Sequence, residues 1–220
     1  MDNINNKTDS YYEGERREML EFIPAECRRI LEVGCGAGKF GYSLKLRSKS
    51  EVWGIEMNEK QADKAKQLLD KVICRGLETN LKDLEDGYFD CIVFNDVLEH
   101  IAYPNDVLID LKAKLTEKGF IVASIPNVRY IINLKELLWN RDWRYRNEGI
   151  LDNTHLRFFT KKSIIRIFDE CGYEIVKIKG INPYGRKLFF GIFNILTLGF
   201  FSDSKYLQYG CLVRKKLFIF

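Results

Sequence analysis

The sequence predicts an α/β fold: a doubly wound, mostly parallel, seven-stranded Rossmann-like sheet whose last strand runs antiparallel. Three observations carry this. Apolar runs of strand length alternate with segments of helical periodicity from residue 29 onward. A glycine-rich turn joins the first strand to the first helix, which is the opening unit of a doubly wound sheet. The chain then closes on two alternating segments, 173–181 and 206–215, that suit an antiparallel pair.

Taken in order, residues near 13–22 read as a leading helix. Strands are expected at about 29–33, 51–55, 71–74, 89–94 and 119–125, with helices at about 38–47, 58–70 and 104–116 between them. Pro104 suits a first helical turn, because its missing N–H has no partner to lose there. The run TEKGF (116–120) marks the turn into the fifth strand. Thr160 suits a helix cap, with Ile164, Ile165, Ile167 and Phe168 as the buried stripe. Residues 126–159 and 182–205 exceed this minimum and are expected as insertions within one domain spanning 1–220.

With 220 residues the chain can build one substantial core. A content of 46% hydrophobic and 30% charged residues excludes a disordered or fibrous class. A net charge of +4 is too small to mark a nucleic-acid binder by itself. Six cysteines (27, 35, 74, 91, 171 and 211) occur without a CxxC pair. That pattern implies reduced thiols and a cytoplasmic protein rather than a disulfide or zinc scaffold. The polar start, MDNINNKTDSYY, lacks the apolar run of a signal peptide. No metal site is expected; Asp96, Asp152 and Asn153 are the oxygen ligands a metal-dependent enzyme would use, without a specific spacing.

The chemistry concentrates around residues 32–38. GAGKFG (36–41) satisfies GxGxxG, but Gly36 lies about three residues past the strand, whereas the dinucleotide turn begins directly after it. Glu32-Val33-Gly34-Cys35-Gly36-Ala37-Gly38 fits better, an acid followed by glycines at every second position. A carboxylate there suits a ligand carrying an ammonium group and repels a pyrophosphate. Glu56, followed by Met57, stands at the tip of the second strand, where a carboxylate can accept both hydroxyls of a ribose. In YFDCIVFNDVLEHI (88–101) a buried strand delivers Asn95 to His100 to the carboxyl edge of the sheet, where such folds bind ligands.

Together the Glu-x-Gly-x-Gly-x-Gly turn, the acid after the second strand and the FD…DVLEH segment resemble class I S-adenosylmethionine (SAM) methyltransferases, firmly over residues 28–125. The resemblance implies SAM as cofactor and S-adenosylhomocysteine as product. It implies Glu32 near the methionine amino group, and Gly34, Cys35, Gly36 and Gly38 as the cradle. Glu56 and Met57 fall on the ribose side, Leu77 and Glu78 by the adenine, and Asn95, Asp96 and Val97 along the methionine and sulfonium. This chain has CRGLETN (74–80) where family members usually carry an aspartate for the adenine amine. DNTHLRFFT (152–160) resembles a stretch in methyltransferases of sugar and polysaccharide biosynthesis. Quinone-precursor O-methyltransferases share LEH (98–100).

Methyl transfer from a sulfonium is an in-line displacement, and a hydroxyl acceptor gains from a base. The only histidines are His100 and His155. His155, in its polar turn, is expected as the base; each histidine otherwise makes a structural hydrogen bond. Arg157 suits an acidic acceptor group or a pair with Asp152. WNRDWRYRNEG (139–149) interleaves arginines with aromatics. Arg144 and Trp143, with Tyr130, are thus expected to bind a nucleotide-linked sugar or other glycan precursor, although a solvated lid helix would look alike. The segment LFFGIFNILTLGFF (188–201) is too short for a transmembrane helix, which needs roughly 20 residues. It reads as a packed cap or dimer face, or as a membrane-interface element with Arg186 and Lys187 toward anionic lipid. The expected function is SAM-dependent methylation of a small-molecule or sugar hydroxyl. The alternatives are an RNA methyltransferase, a quinone-precursor O-methyltransferase and a non-catalytic SAM-binding module.

Overall fold

The computed structural model describes residues 15–77, 81–185 and 187–216. They form a seven-stranded sheet in the order β3-β2-β1-β4-β5-β7-β6. Its strands are β1 (Arg29–Val33), β2 (Glu51–Glu56), β3 (Lys71–Cys74), β4 (Phe89–Asn95), β5 (Leu115–Pro126), β6 (Tyr173–Pro183) and β7 (Tyr206–Lys215). The first five pair parallel, and β7 enters antiparallel between β5 and β6. The helices are α1 (Lys39–Ser48), α2 (Glu59–Ala65), α3 (Pro104–Lys114), α4 (Ile131–Leu138), α5 (Lys161–Glu170) and α6 (Lys187–Leu196).

Both faces of the sheet are covered, so successive strand residues feed different cores. Leu31, Ile92, Phe94, Ile121 and Ala123 join one apolar cluster, while Ile30, Cys91, Val93 and Val122 join the other. This explains the near-continuous apolar runs in the sequence. The strand order reverses between β1 and β4, which opens a crevice at the carboxyl ends of those two strands.

Several expectations change in detail. The described part of the leading helix is a 3-10 turn, Arg17–Phe22. Its Phe22 is buried, and a Cβ added to Gly210 of β7 would lie 2.4 Å from the Phe22 ring. A glycine there is what lets the turn lie close on the sheet. TEKGF is not a turn: β5 already begins at Leu115 and absorbs those residues through a register shift against Phe89 and Cys91. The helix expected over 58–70 ends at Ala65, capped at its start by the Asn58 side chain. Thr160 caps α5 in a reciprocal box with Ser163. Ile164, Ile167 and Phe168 of that helix are buried, but Ile165 faces solvent. All six cysteines are free thiols.

Phe159 anchors the 126–159 segment. It lies in the main core, bridges Asn127, and its carbonyl accepts from Val128 N–H at 2.9 Å. Among the described residues no helix is long and apolar enough to cross a membrane.

Candidate cofactor and acceptor site

The loop after β1 has Gly34, Gly36 and Gly38 at φ values of +67°, +52° and +79°. A side chain is strained there, and at Gly34 there is no room for one: an added Cβ would lie 2.7 Å from Val97 Cγ2. Gly34 and Cys35 N–H both donate to Ile55 O, at 2.8 and 3.1 Å. The loop is thereby pinned across the end of β2. Cys35 is buried, and its sulfur fills the space a Cβ on Gly54 would need.

Two acids brace this loop. Glu56 accepts from Gly36 N–H at 2.9 Å and Asn58 N–H at 2.8 Å, and burial raises its pKa. Glu32 accepts from Gly41 N–H in α1 at 3.0 Å. Burial pushes its carboxyl up to about 8, against the Asn95 amide and the Gly41 N–H, which favour the charge. A cationic ligand beside Glu32 would restore the carboxylate. The glycine turn, the strand-tip acid and the buried carboxyl thus fit a ligand carrying a ribose and an ammonium group. Met57 is 43% exposed beside Glu56, and Leu77 is buried in the main core. Glu78 and Arg186 lie outside the described residues.

Asp96 follows β4 in a left-handed conformation, φ +56°. Its carboxylate accepts from Ser124 Oγ at 2.9 Å, from Gln208 Nε2 at 2.8 Å and from Arg16. Arg16 also donates to Ser124 Oγ at 3.0 Å, and Asn182 donates to Gln208 Oε1 at 2.9 Å. This network joins the N-terminal turn to β4, β5, β6 and β7. The sequence carried no signal for Arg16. Gln208 was not marked either: it is a polar residue on a strand position that proves buried.

Beside Asp96 lies a cavity of about 110 Å³ lined by Glu99, His100, Asp152, His155 and Gln208. His155 Nδ1 stands 2.8 Å from Ile150 O. A carbonyl only accepts, so Nδ1 carries the hydrogen and the neutral ring keeps its lone pair on Nε2. The same logic applies to His100, whose Nδ1 faces Thr154 O at 3.2 Å. The two rings meet edge to face with centroids 4.6 Å apart. Burial, then the neighbouring His155, pushes His100 down to about 4, so it is neutral at ordinary pH.

Glu99 was not singled out in the sequence although it stands in LEH. It is 1% exposed, neither carboxyl oxygen has a hydrogen-bond partner, and Oε1 lies 3.9 Å from His155 Nε2. Burial, then Asp96, holds its pKa well above the usual carboxylate range. One ligand atom from each of Glu99, His100 and His155 lies within 4.8 Å of the others. This is the convergent metal-capable set among the described residues, in place of Asp96, Asp152 and Asn153. Asp96 is engaged by Arg16 and Gln208, Asp152 accepts from the Thr154 amide and hydroxyl, and Asn153 reaches Asn147.

A second cavity, about 150 Å³, adjoins the first through Gly149, Ile150 and Leu207 and is lined by Tyr130 and Arg144. Trp143 and Arg157 line neither. Trp143 packs edge-on against Phe158, and the Arg157 guanidinium donates to the carbonyls of Leu156 and Ala102.

The comparisons agree with this architecture. A family model described as a methyltransferase domain matches residues 7–178. The mitochondrial ubiquinone biosynthesis O-methyltransferase of Candida albicans is 30% identical over 135 residues, 58% of this chain, which spans 40% of that relative's length. The crystal structure of a SAM-dependent methyltransferase from Archaeoglobus fulgidus shares the fold with a TM-score of 0.71 at 19% identity, covering 96% of each chain. The 1,6-didemethyltoxoflavin-N1-methyltransferase of Burkholderia thailandensis, solved with S-adenosylhomocysteine, has a TM-score of 0.61 at 13% identity, covering 93% of this chain and 80% of its own. The chain therefore belongs to the methyltransferase-domain family and is built as a class I SAM-dependent methyltransferase.

Proposed function

We propose that this protein methylates a hydroxyl group of a small-molecule acceptor. SAM supplies the electrophilic methyl group on its sulfonium. The Gly34–Gly38 loop and Glu56 hold the adenosine end, and Glu32 with Asn95–Val97 attends the methionine end. The observation that carries the hydroxyl acceptor is the His155 imidazole. Its Nδ1–H is committed to Ile150 O, which places the lone pair of the neutral ring on Nε2, and His155 lines the same cavity as Asp96. His155 takes the hydroxyl proton as the acceptor oxygen attacks. A neutral amine would need no such base. Once His155 is charged, Glu99 at 3.9 Å is the carboxyl that can offset the charge by ionising. His100, neutral and edge-on, keeps the His155 ring in place.

Two acceptor classes follow. A quinone-precursor hydroxyl is supported by the ubiquinone-biosynthesis relative. A sugar hydroxyl on a glycan precursor is supported by Arg144 and Tyr130 in the adjoining cavity, which suit an acceptor with a ring and a phosphate. A divalent cation on Glu99, His100 and His155, lowering the pKa of the hydroxyl as a Lewis acid, is a second reading of the same cluster. The test is transfer of label from methyl-labelled SAM to catechols, nucleotide sugars and an RNA fraction, with and without a chelator. Label on a hydroxyl, lost in His155→Ala, is the expected result. Label on RNA or on an amine would overturn the proposal, and no label on any acceptor despite S-adenosylhomocysteine binding would leave a non-catalytic module. Loss on chelation, with metal restoring activity, would move the role of His155 from base to ligand.

A further inference from the structure

We propose that the outer face of α6 and the turn after it form a docking surface for an anionic lipid bilayer. The inward residues of α6 are already spoken for: Phe190 packs on Tyr184 at 5.9 Å between ring centroids, and Phe193 packs on Phe201 at 5.3 Å. Ile192, Ile195 and Leu196 occupy the opposite stripe, at spacings of three and four, and Ile195 and Leu196 are each 76% exposed. A helix that faces water carries polar residues on that stripe; this one is apolar on both sides.

The turn continues the pattern. Leu198 is 96% exposed and sits at φ +50°, a backbone region that a branched side chain adopts at a cost and that glycine or asparagine normally fills. Phe200, one residue past Gly199, is exposed as well. A strained turn that holds a leucine out into water suits a surface that receives the leucine. The neighbouring α4 adds exposed Leu138 and Trp139, and its preceding Tyr130 meets Tyr184 edge to face at 6.3 Å.

Length and charge choose the partner. The ten residues of α6 span about 15 Å, half of a hydrocarbon core of about 30 Å, so the helix can lie in the interface but cannot cross. Between Tyr184 and Ser202 the sequence carries Arg186 and Lys187 and no acid, and around α4 the exposed Lys135 and Arg141 outnumber the exposed Asp142, while the half-buried Glu136 pairs with Arg146. Basic residues beside an apolar face favour anionic headgroups. A second copy docked two-fold on the same face would set two cationic segments together with no acid between them.

The test is flotation of the full-length protein with phosphatidylcholine vesicles and with vesicles that also contain phosphatidylglycerol. The protein is expected to float with the anionic vesicles and to be released by salt. Each large aliphatic side chain inserted accounts for roughly a tenfold change in partitioning, so Ile195→Asp/Leu198→Asp should weaken binding about a hundredfold. Both positions are exposed and outside the glycine loop, and retained S-adenosylhomocysteine binding confirms that the variant folds. Lys135→Gln/Arg141→Gln should weaken binding to the anionic vesicles alone. Failure to float with either vesicle, or flotation unchanged in the apolar variant, would overturn the proposal. Equal binding to both vesicle types would overturn its anionic half. A dimer in velocity sedimentation that the same aspartates dissolve, without lipid binding, would assign the face to a second copy instead.

Discussion

Along the cofactor edge the groups that meet are close in sequence. Gly41 donates to Glu32 nine positions away, and Gly36 to Glu56 twenty positions away. On the acceptor side the separations are of another order: His100 reaches Thr154 across 54 positions, Arg16 reaches Asp96 across 80, and Gln208 reaches Asp96 across 112. One half of the site is braced within the first strand–helix–strand unit, residues 29–56. The other exists only once the sheet has closed and its insertions have folded back. Substitutions in the two halves should therefore fail differently.

The largest effect is expected where the local geometry has no slack. Gly34→Val forces a branched residue to φ +67° and drives its Cβ into Val97. The left-handed conformation and the crowding together cost about 2–5 kcal/mol, read by denaturant unfolding. Calorimetry with S-adenosylhomocysteine should give no binding heat. A variant that still binds would mean the loop does not cradle the cofactor.

Next comes the distant network. Arg16→Gln leaves Asp96 without its cationic partner, and with the arginine partly exposed the loss should be about 1–2 kcal/mol. Arg16→Lys should recover only part, because an ammonium cannot fork to Asp96, Ser124 and Gln208 at once. A loss under about 0.5 kcal/mol would class the contact with ordinary surface pairs and blunt the contrast between the two halves.

The last expected effect is read as a slope against pH, not as a loss of stability at one pH. Glu32 keeps its proton in the folded empty protein up to about 8, while the unfolded chain releases it near 4.5. The folded state then binds more protons between those values, so the contribution of Glu32 to stability falls as pH rises through that window. Glu32→Gln should flatten this slope. Affinity for S-adenosylhomocysteine should rise toward pH 8 in the wild type, as the carboxylate that attracts its ammonium group becomes cheaper to form. A slope identical in the variant would place the titrating group elsewhere.

The same contrast governs what was legible beforehand. The seven strands, their alternation with helices and the glycine turn followed from periodicity and turn chemistry, because each is encoded within about twenty residues. The single histidine in DNTHLRFFT stood out by residue type, and Phe159 behind it proved to be its anchor in the core. Glu99, Arg16 and Gln208 did not stand out. An acid beside a histidine, an arginine in ERRE and a glutamine in a strand become informative only when folding buries Glu99 without a partner and brings Arg16 and Gln208 to one carboxylate. Arg157 and Trp143 stood out by type as acceptor residues; neither lines the two cavities, and their contacts are with the Ala102 carbonyl and Phe158.

The most direct test of the division between the two halves measures turnover and cofactor affinity together in His155→Ala. Loss of a general base lowers turnover about 10²–10⁴-fold. Because His155 lines a cavity whose lining does not include the glycine loop or Glu56, S-adenosylhomocysteine should bind the variant as it binds the wild type. Turnover within a factor of about two of wild type, or a parallel fall in cofactor affinity, would contradict the assignment of His155 to the acceptor's proton.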